Sequence, residues 1–255
     1  MSFRFVRLIS DSREDLLKGR AISLNELRSL KERHGEMIAA VDTASSALFG
    51  WIGVYPGRDE GGHVFHLADI DVLPGHREEG VDAALMQEAG TYIRQHKVSR
   101  LKFGTSPLLT GNAALYITRF GTRYKWREGT RTPEGKPWPY VSCECDFNDP
   151  VERPLDLRVE EVVPRSVIDW TGVRPLPRQK VVYSGPLSLL LPELTRDSLV
   201  EADARDPSFL PTLYRVFHSL SLHGYDFAWF DRLPASAAAS DGPRCYYIMK
   251  RVLAL

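Results

Sequence analysis

The stretch Val72-Leu73-Pro74-Gly75-His76-Arg77-Glu78-Glu79-Gly80-Val81-Asp82-Ala83-Ala84-Leu85 joins an extended segment to an amphipathic helix through a turn that carries Arg77 and two glycines. The N–H groups of a helix's first turn lack intrahelical partners and sit at the positive end of its dipole, so such junctions bind anions. A glycine there lets a pyrophosphate approach the backbone. The functional reading is a site for a phosphate-bearing cofactor. The alternative is an ordinary strand-to-helix turn, because R-x-x-G is a short pattern that recurs by chance. Neither a G-x-S-x-G elbow nor a G-x-x-x-x-G-K-[ST] loop occurs, which removes the hydrolase and P-loop chemistries. His218 and His223 have no companions at metal-ligand spacing, so no metal is expected.

The elements around this turn are read from apolar periodicity. Leu16 to His34 predicts one or two helices, with Ser23 and Glu26 forming a capping box. MIAAV and ALFGWIGVY, separated by DTASS, predict a hairpin. HVFHLADIDVL predicts a strand with His66, Ala68, Ile70 and Val72 on one face and Leu67, Asp69 and Asp71 on the other. A helix follows over Val81–His96, then a strand in RLKFGTS, a short helix over Asn112–Phe120 and a closing strand in YVSCECDF. Pro150, Pro154, Pro164, Pro175 and Pro177 stand among many charges in an irregular connector over 149–177. The remainder reads strand (VVYSGPLSLLL), helix (Pro207 to Leu222), strand (YDFAWF) and strand (YYIMKRVL). The expected organisation is therefore a mixed α/β domain over 1–148 and a small α/β lobe over 178–255.

Composition bounds the partners. Lys+Arg 33 against Asp+Glu 33 gives zero formal net charge, without the basic excess that would hold a nucleic acid. No apolar run reaches the roughly 18 residues that would span a bilayer, so no membrane association is expected. Three cysteines cannot pair completely, and Cys143 and Cys145 stand two apart on one strand face, which fits a reducing, cytoplasmic compartment.

The pattern V-x-P-x-x-R-x-x-G before an apolar helix resembles the acyl-CoA-binding motif of the GNAT N-acetyltransferase superfamily. The run FGTSPLLTGNAALYITRFGTRYKW resembles an uncharacterised branch of predicted acyltransferases, with Ser106-Pro107-Leu108, Asn112-Ala113, Arg119-Phe120-Gly121 and Tyr124 at the branch's pattern positions. Gly224-Tyr225-Asp226-Phe227 and Tyr246-Tyr247-Ile248 are similar to its closing strands. The resemblance implies a mixed, mostly antiparallel sheet flanked by helices, with a C-terminal lobe that is either a degenerate GNAT-like half or an elaboration. It implies acetyl-CoA or another acyl-CoA as cosubstrate, its pyrophosphate on Arg77 and the amides of Glu78, Glu79, Gly80, Val81 and Asp82. It further implies the pantetheine arm along Ile70 to Val72 and a contact from Asn112. His66 stands where the superfamily often keeps its general base and Tyr116 near its acid; the alternatives are a core or edge histidine and a packed ring.

One departure is Asp82, at a position where the superfamily's R-x-x-G-x-G/A pattern has a small residue. Its carboxylate competes with phosphate for the same amides, and Glu78 and Glu79 add like charge. The expected activity is transfer of an acyl group to a small amine or amino acid in a ternary complex, in which Asp69 and Asp71 would bind the amine or simply be solvated. The alternative is a GNAT-fold module that binds a small ligand or a partner without catalysis, and a homodimer is compatible with either.

Overall fold

The computed structural model describes residues 2–17, 24–73, 75–76, 79–132, 135–152, 164–165, 168–169, 174–175, 187–192, 196–233 and 244–251. Contacts divide the chain into a unit of Met1–Phe103 with Asp146–Asp149 and a unit of Gly104–Cys145 with Pro150–Leu255.

In the first unit the elements are β1 (Phe3–Arg7), a 3-10 turn (Glu14–Leu17), α1 (Leu24–Glu32), β2 (Glu36–Asp42), β3 (Leu48–Asp59), β4 (Gly62–Val72), α2 (Val81–Gln95) and most of β5 (Arg100–Thr105). The strands neighbour one another in the order β1-β2-β3-β4-β5, antiparallel from β1 to β4 and parallel between β4 and β5. The parallel pair requires a crossover, and α2 supplies it. Met37, Ala39 and Val41 of β2 share a buried cluster with Leu27 and Leu30 of α1. The alternate residues Ile38 and Ala40 are equally buried and face the other side, where α2 packs its Val81, Leu85, Ala89 and Ile93 stripe. The sheet is thus covered on both faces. Gly90 of α2 is fixed by this packing, since a Cβ there would lie 2.7 Å from the Phe147 ring.

Glu36, only 1% exposed, stands at the start of β2. Its carboxylate accepts from the N–H groups of Ile9 (2.8 Å), Ser10 (3.1 Å) and Met37 (2.9 Å) and from the Ser10 hydroxyl. A buried charge is tolerated there because donors surround it.

β4 departs from the expected alternation. Its ladder with β3 runs Gly53↔Asp69 and then Val54↔Leu67, so Ala68 is an extra residue in a β-bulge. The bulge restarts the inward and outward phase, and residues 66 to 72 do not form one polar and one apolar face. No glycine or proline marks it in β4.

In the second unit, the helix expected over Asn112–Phe120 is a short α3 (Thr110–Ala113) that continues as a π-helix over Ala114–Arg119. β6 (Arg123–Trp126) and β7 (Val141–Asp146) form an antiparallel pair, with Cys143 and Cys145 buried on one face of β7 as free thiols. The remaining elements are β8 (Pro164–Arg165), β9 (Ile168–Asp169), β10 (Arg174–Pro175), β11 (Leu187–Pro192), α4 (Arg196–Arg205), α5 (Phe209–Leu222), β12 (Tyr225–Leu233) and β13 (Arg244–Arg251). β12, β13, β11 and β8 are neighbours in that order in a four-stranded sheet, and β9 pairs with β10. Aromatic rings from four elements, Trp126 of β6, Phe217 of α5, Phe227 of β12 and Tyr247 of β13, pack edge-on or stacked in the core of this unit. β1, β6 and α4 were not expected from the sequence, and Ser23 and residues 181–186 lie outside the described residues. No described helix is long and apolar enough to cross a membrane.

Candidate functional site

The junction between β4 and α2 follows directly from its residue types. Leu73 still donates to the Phe49 carbonyl (2.8 Å), after which Gly75, at φ +96°, turns the chain. His76 stacks on Phe49 at 4.1 Å and its Nδ1 lies 3.0 Å from Glu79 Oε2. Gly80, at φ +73° in the left-handed region, is the N-cap of α2, and no side chain caps the helix from that position. The first-turn amides therefore lack the Ser, Thr, Asp or Asn oxygen that most helices place there. One of them is partly answered from within, because the Ala83 N–H donates to Asp82 Oδ1 at 2.7 Å. Glu79, Gly80, Val81 and Asp82 thus stand together at the mouth of α2. Arg77 and Glu78 lie outside the described residues.

β4 leads into this junction along an edge that parts from β5. The parallel ladder comprises Phe65↔Leu101 and His66↔Lys102, and β4 runs on to Val72 beyond it. Ile70 and Val72 lie in that extension, paired on the other side with Ile52 and Gly50 of β3. The Val72 N–H is occupied by Asp71 Oδ1 at 2.9 Å.

His66 sits at the last rung of that ladder. Its ring stacks on Tyr55 at 5.2 Å, and a Cβ at Gly57 would lie 2.6 Å from its Cδ2 and Nε2, so glycine at position 57 leaves the room the ring occupies. Burial lowers the imidazole pKa below its ordinary 6.5, the charge of Lys102 acts in the same direction with a smaller contribution from Arg33, and Asp59 opposes them. Asp59 in turn is held far below the usual carboxylate range by Arg100 (2.8 Å) and by Lys102. The neutral imidazole, the form able to accept a proton, is therefore favoured.

Asn112 and Tyr116 belong to the second unit. Asn112 Nδ2 lies 3.4 Å from Thr105 Oγ1. Tyr116, 4% exposed, is on the π-helical segment, where its carbonyl accepts from the Thr122 N–H at 3.0 Å.

A cavity of about 120 Å³ lies in the first unit between α1 and the sheet, lined by Glu26, Leu30 and Arg33, by Met37 of β2, Trp51 and Tyr55 of β3, and Ala68 and Asp69 at the bulge. Of these residues only Asp69 stands out in the sequence as a candidate. Arg33, Trp51 and Tyr55 come from segments without a motif, and only the folding of α1 over the β2–β3 hairpin brings them together. Among the described residues no group of three or more His, Cys, Asp or Glu side chains is placed to hold a metal ion.

Residues 5–122 match the family model described as acetyltransferase (GNAT) family. No curated protein matches the chain. Solved structures similar to it include an acetyltransferase of the GNAT family from Staphylococcus aureus Mu50, at 14% identity and a TM-score of 0.42 over 57% of this chain and 99% of that one. A Bacillus subtilis acetyltransferase in complex with CoA matches at 18% identity and a TM-score of 0.42, over 57% and 99%. The ribosomal-protein-S18-alanine N-acetyltransferase from Escherichia coli matches at 13% identity and a TM-score of 0.43, over 62% and 99%.

Proposed function

Residues 5–122 form a domain of the acetyltransferase (GNAT) family, and from that premise we propose that the chain is an acyl-CoA-dependent N-acyltransferase acting on a small amine or amino acid. The observation that carries this reading is the junction after β4, where α2 starts at a left-handed Gly80 without a side-chain cap. That is the arrangement a pyrophosphate needs. The acyl-CoA-binding domain is taken as residues 1–148, with the pyrophosphate at Arg77 and residues 78–82 and the pantetheine arm along Ile70 to Val72.

In this mechanism the amine nitrogen attacks the thioester carbonyl carbon directly, in a ternary complex. His66, kept neutral by its surroundings, takes a proton from the ammonium so that the lone pair is free to attack. The C–N bond forms and the C–S bond breaks; the CoA thiolate takes a proton from Tyr116 or from water, and the nitrogen gives its second proton to the phenolate or hydroxide so formed, which leaves the neutral amide. Holding amine and thioester together supplies most of the acceleration.

Asp82 favours a second reading, in which the domain binds a small ligand without catalysis, because its carboxylate already engages the Ala83 amide at 2.7 Å. The deciding experiment follows thiol release from acetyl-CoA over a panel of small amines and amino acids. Turnover that falls about 10²–10⁴-fold in His66→Ala, with acetyl-CoA affinity kept, supports transfer with His66 as base. Acetyl-CoA binding without turnover on any acceptor supports the second reading.

A further inference from the structure

The cavity beside α1 takes no part in the steps above, yet its lining combines opposite charges over an apolar floor. Arg33, just past the end of α1, lies over the Tyr55 ring with its guanidinium carbon 4.8 Å from the centroid. Asp69 follows the bulge residue Ala68 on β4, and Glu26 of α1 is a second carboxylate in the lining, engaged in an interaction of its own. Arg33 and Asp69 are exposed, and neither makes an ion pair among the described residues. Between them the floor is formed by Leu30, Met37 and Trp51, all buried. A guanidinium held over an aromatic ring keeps its N–H edges open for a carboxylate, which it binds with two parallel hydrogen bonds.

We infer that this cavity is the acceptor subsite and that it selects a free α-amino acid with a short apolar side chain. The carboxylate goes to Arg33, the ammonium to Asp69, and the side chain to the floor of Leu30, Met37 and Trp51. Its role as acceptor subsite rests on the acyl-transfer reading. Size points the same way: at about 120 Å³ the space is well below the roughly 300–1,000 Å³ of sites for drug-sized ligands and suits one residue. Position agrees as well, since Tyr55 walls the cavity and also stacks on His66. An amine held at Asp69 is thereby on the same strand as the candidate base, three residues along.

The test is calorimetric titration of the full chain with L-leucine, L-leucinamide and isopentylamine, each with and without saturating CoA, and with L-methionine as a second amino acid. Leucinamide lacks the carboxylate charge, as a peptide's first residue does; isopentylamine lacks the carboxyl group altogether. The expected result is that leucine binds at least about tenfold more tightly than either analogue in one of the two conditions, the size of a charge-assisted pair. Arg33→Gln removes that preference while CoA affinity stays unchanged, and Arg33→Lys, which keeps the charge and loses the fork, is intermediate. Leucine binding no more tightly than leucinamide in both conditions overturns the inference, as does a preference that survives Arg33→Gln. The acyl-transfer reading fails separately, by absence of acetyl-CoA binding in the same sample, and the leucine titrations still decide whether the cavity takes an amino acid.

Discussion

Replacing Gly57 by alanine tests whether the position of the His66 ring matters, without touching a charged group. The new methyl would lie 2.6 Å from both Cδ2 and Nε2 of the imidazole, and ordinary van der Waals contact begins near 3.4 Å. The ring must therefore retreat by about 0.8 Å, or rotate away from Tyr55, because the strand backbone at residue 57 is the less yielding side. Position 57 lies within β3 and has no left-handed backbone angle, so alanine itself is unstrained there. A displacement of about 1 Å at a catalytic group costs on the order of 10²-fold in rate. The expected outcome is a kcat lowered roughly 10–100-fold, with acetyl-CoA affinity unchanged and stability altered by less than about 1 kcal/mol. Steady-state thiol release, calorimetric titration and urea unfolding measure the three quantities. In a His66→Ala background the same change should add nothing, since the ring it displaces is gone. Full activity in Gly57→Ala would refute His66 as the base, and so would an equal loss in the His66→Ala background.

Three further outcomes are expected. The pH profile of kcat/KM should rise through an apparent pKa below the ordinary 6.5 of histidine, because burial and the charge of Lys102 both disfavour the imidazolium. Lys102→Met should move that limb to higher pH, and an acidic limb at or above 6.5 in the wild type would contradict the assignment. Asp82→Ala removes a carboxylate from the first turn of α2 and frees the Ala83 amide, so acetyl-CoA should bind about 1 kcal/mol tighter at low salt, roughly fivefold in Kd, and weaker binding would contradict the pyrophosphate placement. Glu36→Ala leaves the N–H groups of Ile9, Ser10 and Met37 without their acceptor, and urea unfolding should show a loss of about 2–4 kcal/mol; a loss under about 1 kcal/mol would mean that water replaces the carboxylate.

What the sequence made legible follows from the strength of each local signal. The β2–β3 hairpin and α2 stand out because long apolar runs and a sustained 3.6-residue period have few other interpretations. β1 and β6 are five and four residues long and broken by Arg4 and Arg7 and by Arg123 and Lys125, too short for the pattern to accumulate. α4 carries one buried apolar residue, Leu199, among those of its side chains that are described, so it has almost no amphipathic face to detect. The Ala68 bulge is invisible locally because it arises from register against β3, not from a turn residue. The candidate site divides the same way. The strand, turn and helix around Gly80 form one contiguous stretch and can be read in order. Arg33, Trp51 and Tyr55 belong to different elements, and only the packing of α1 on the sheet makes them neighbours.

The most direct test of acyl-CoA dependence is a calorimetric titration of the purified chain with acetyl-CoA. A saturable exotherm with one site per chain and a dissociation constant in the micromolar range is the expected result. An absence of heat at low and moderate salt, with the protein shown to be folded, would contradict the cofactor site from which the proposed chemistry starts.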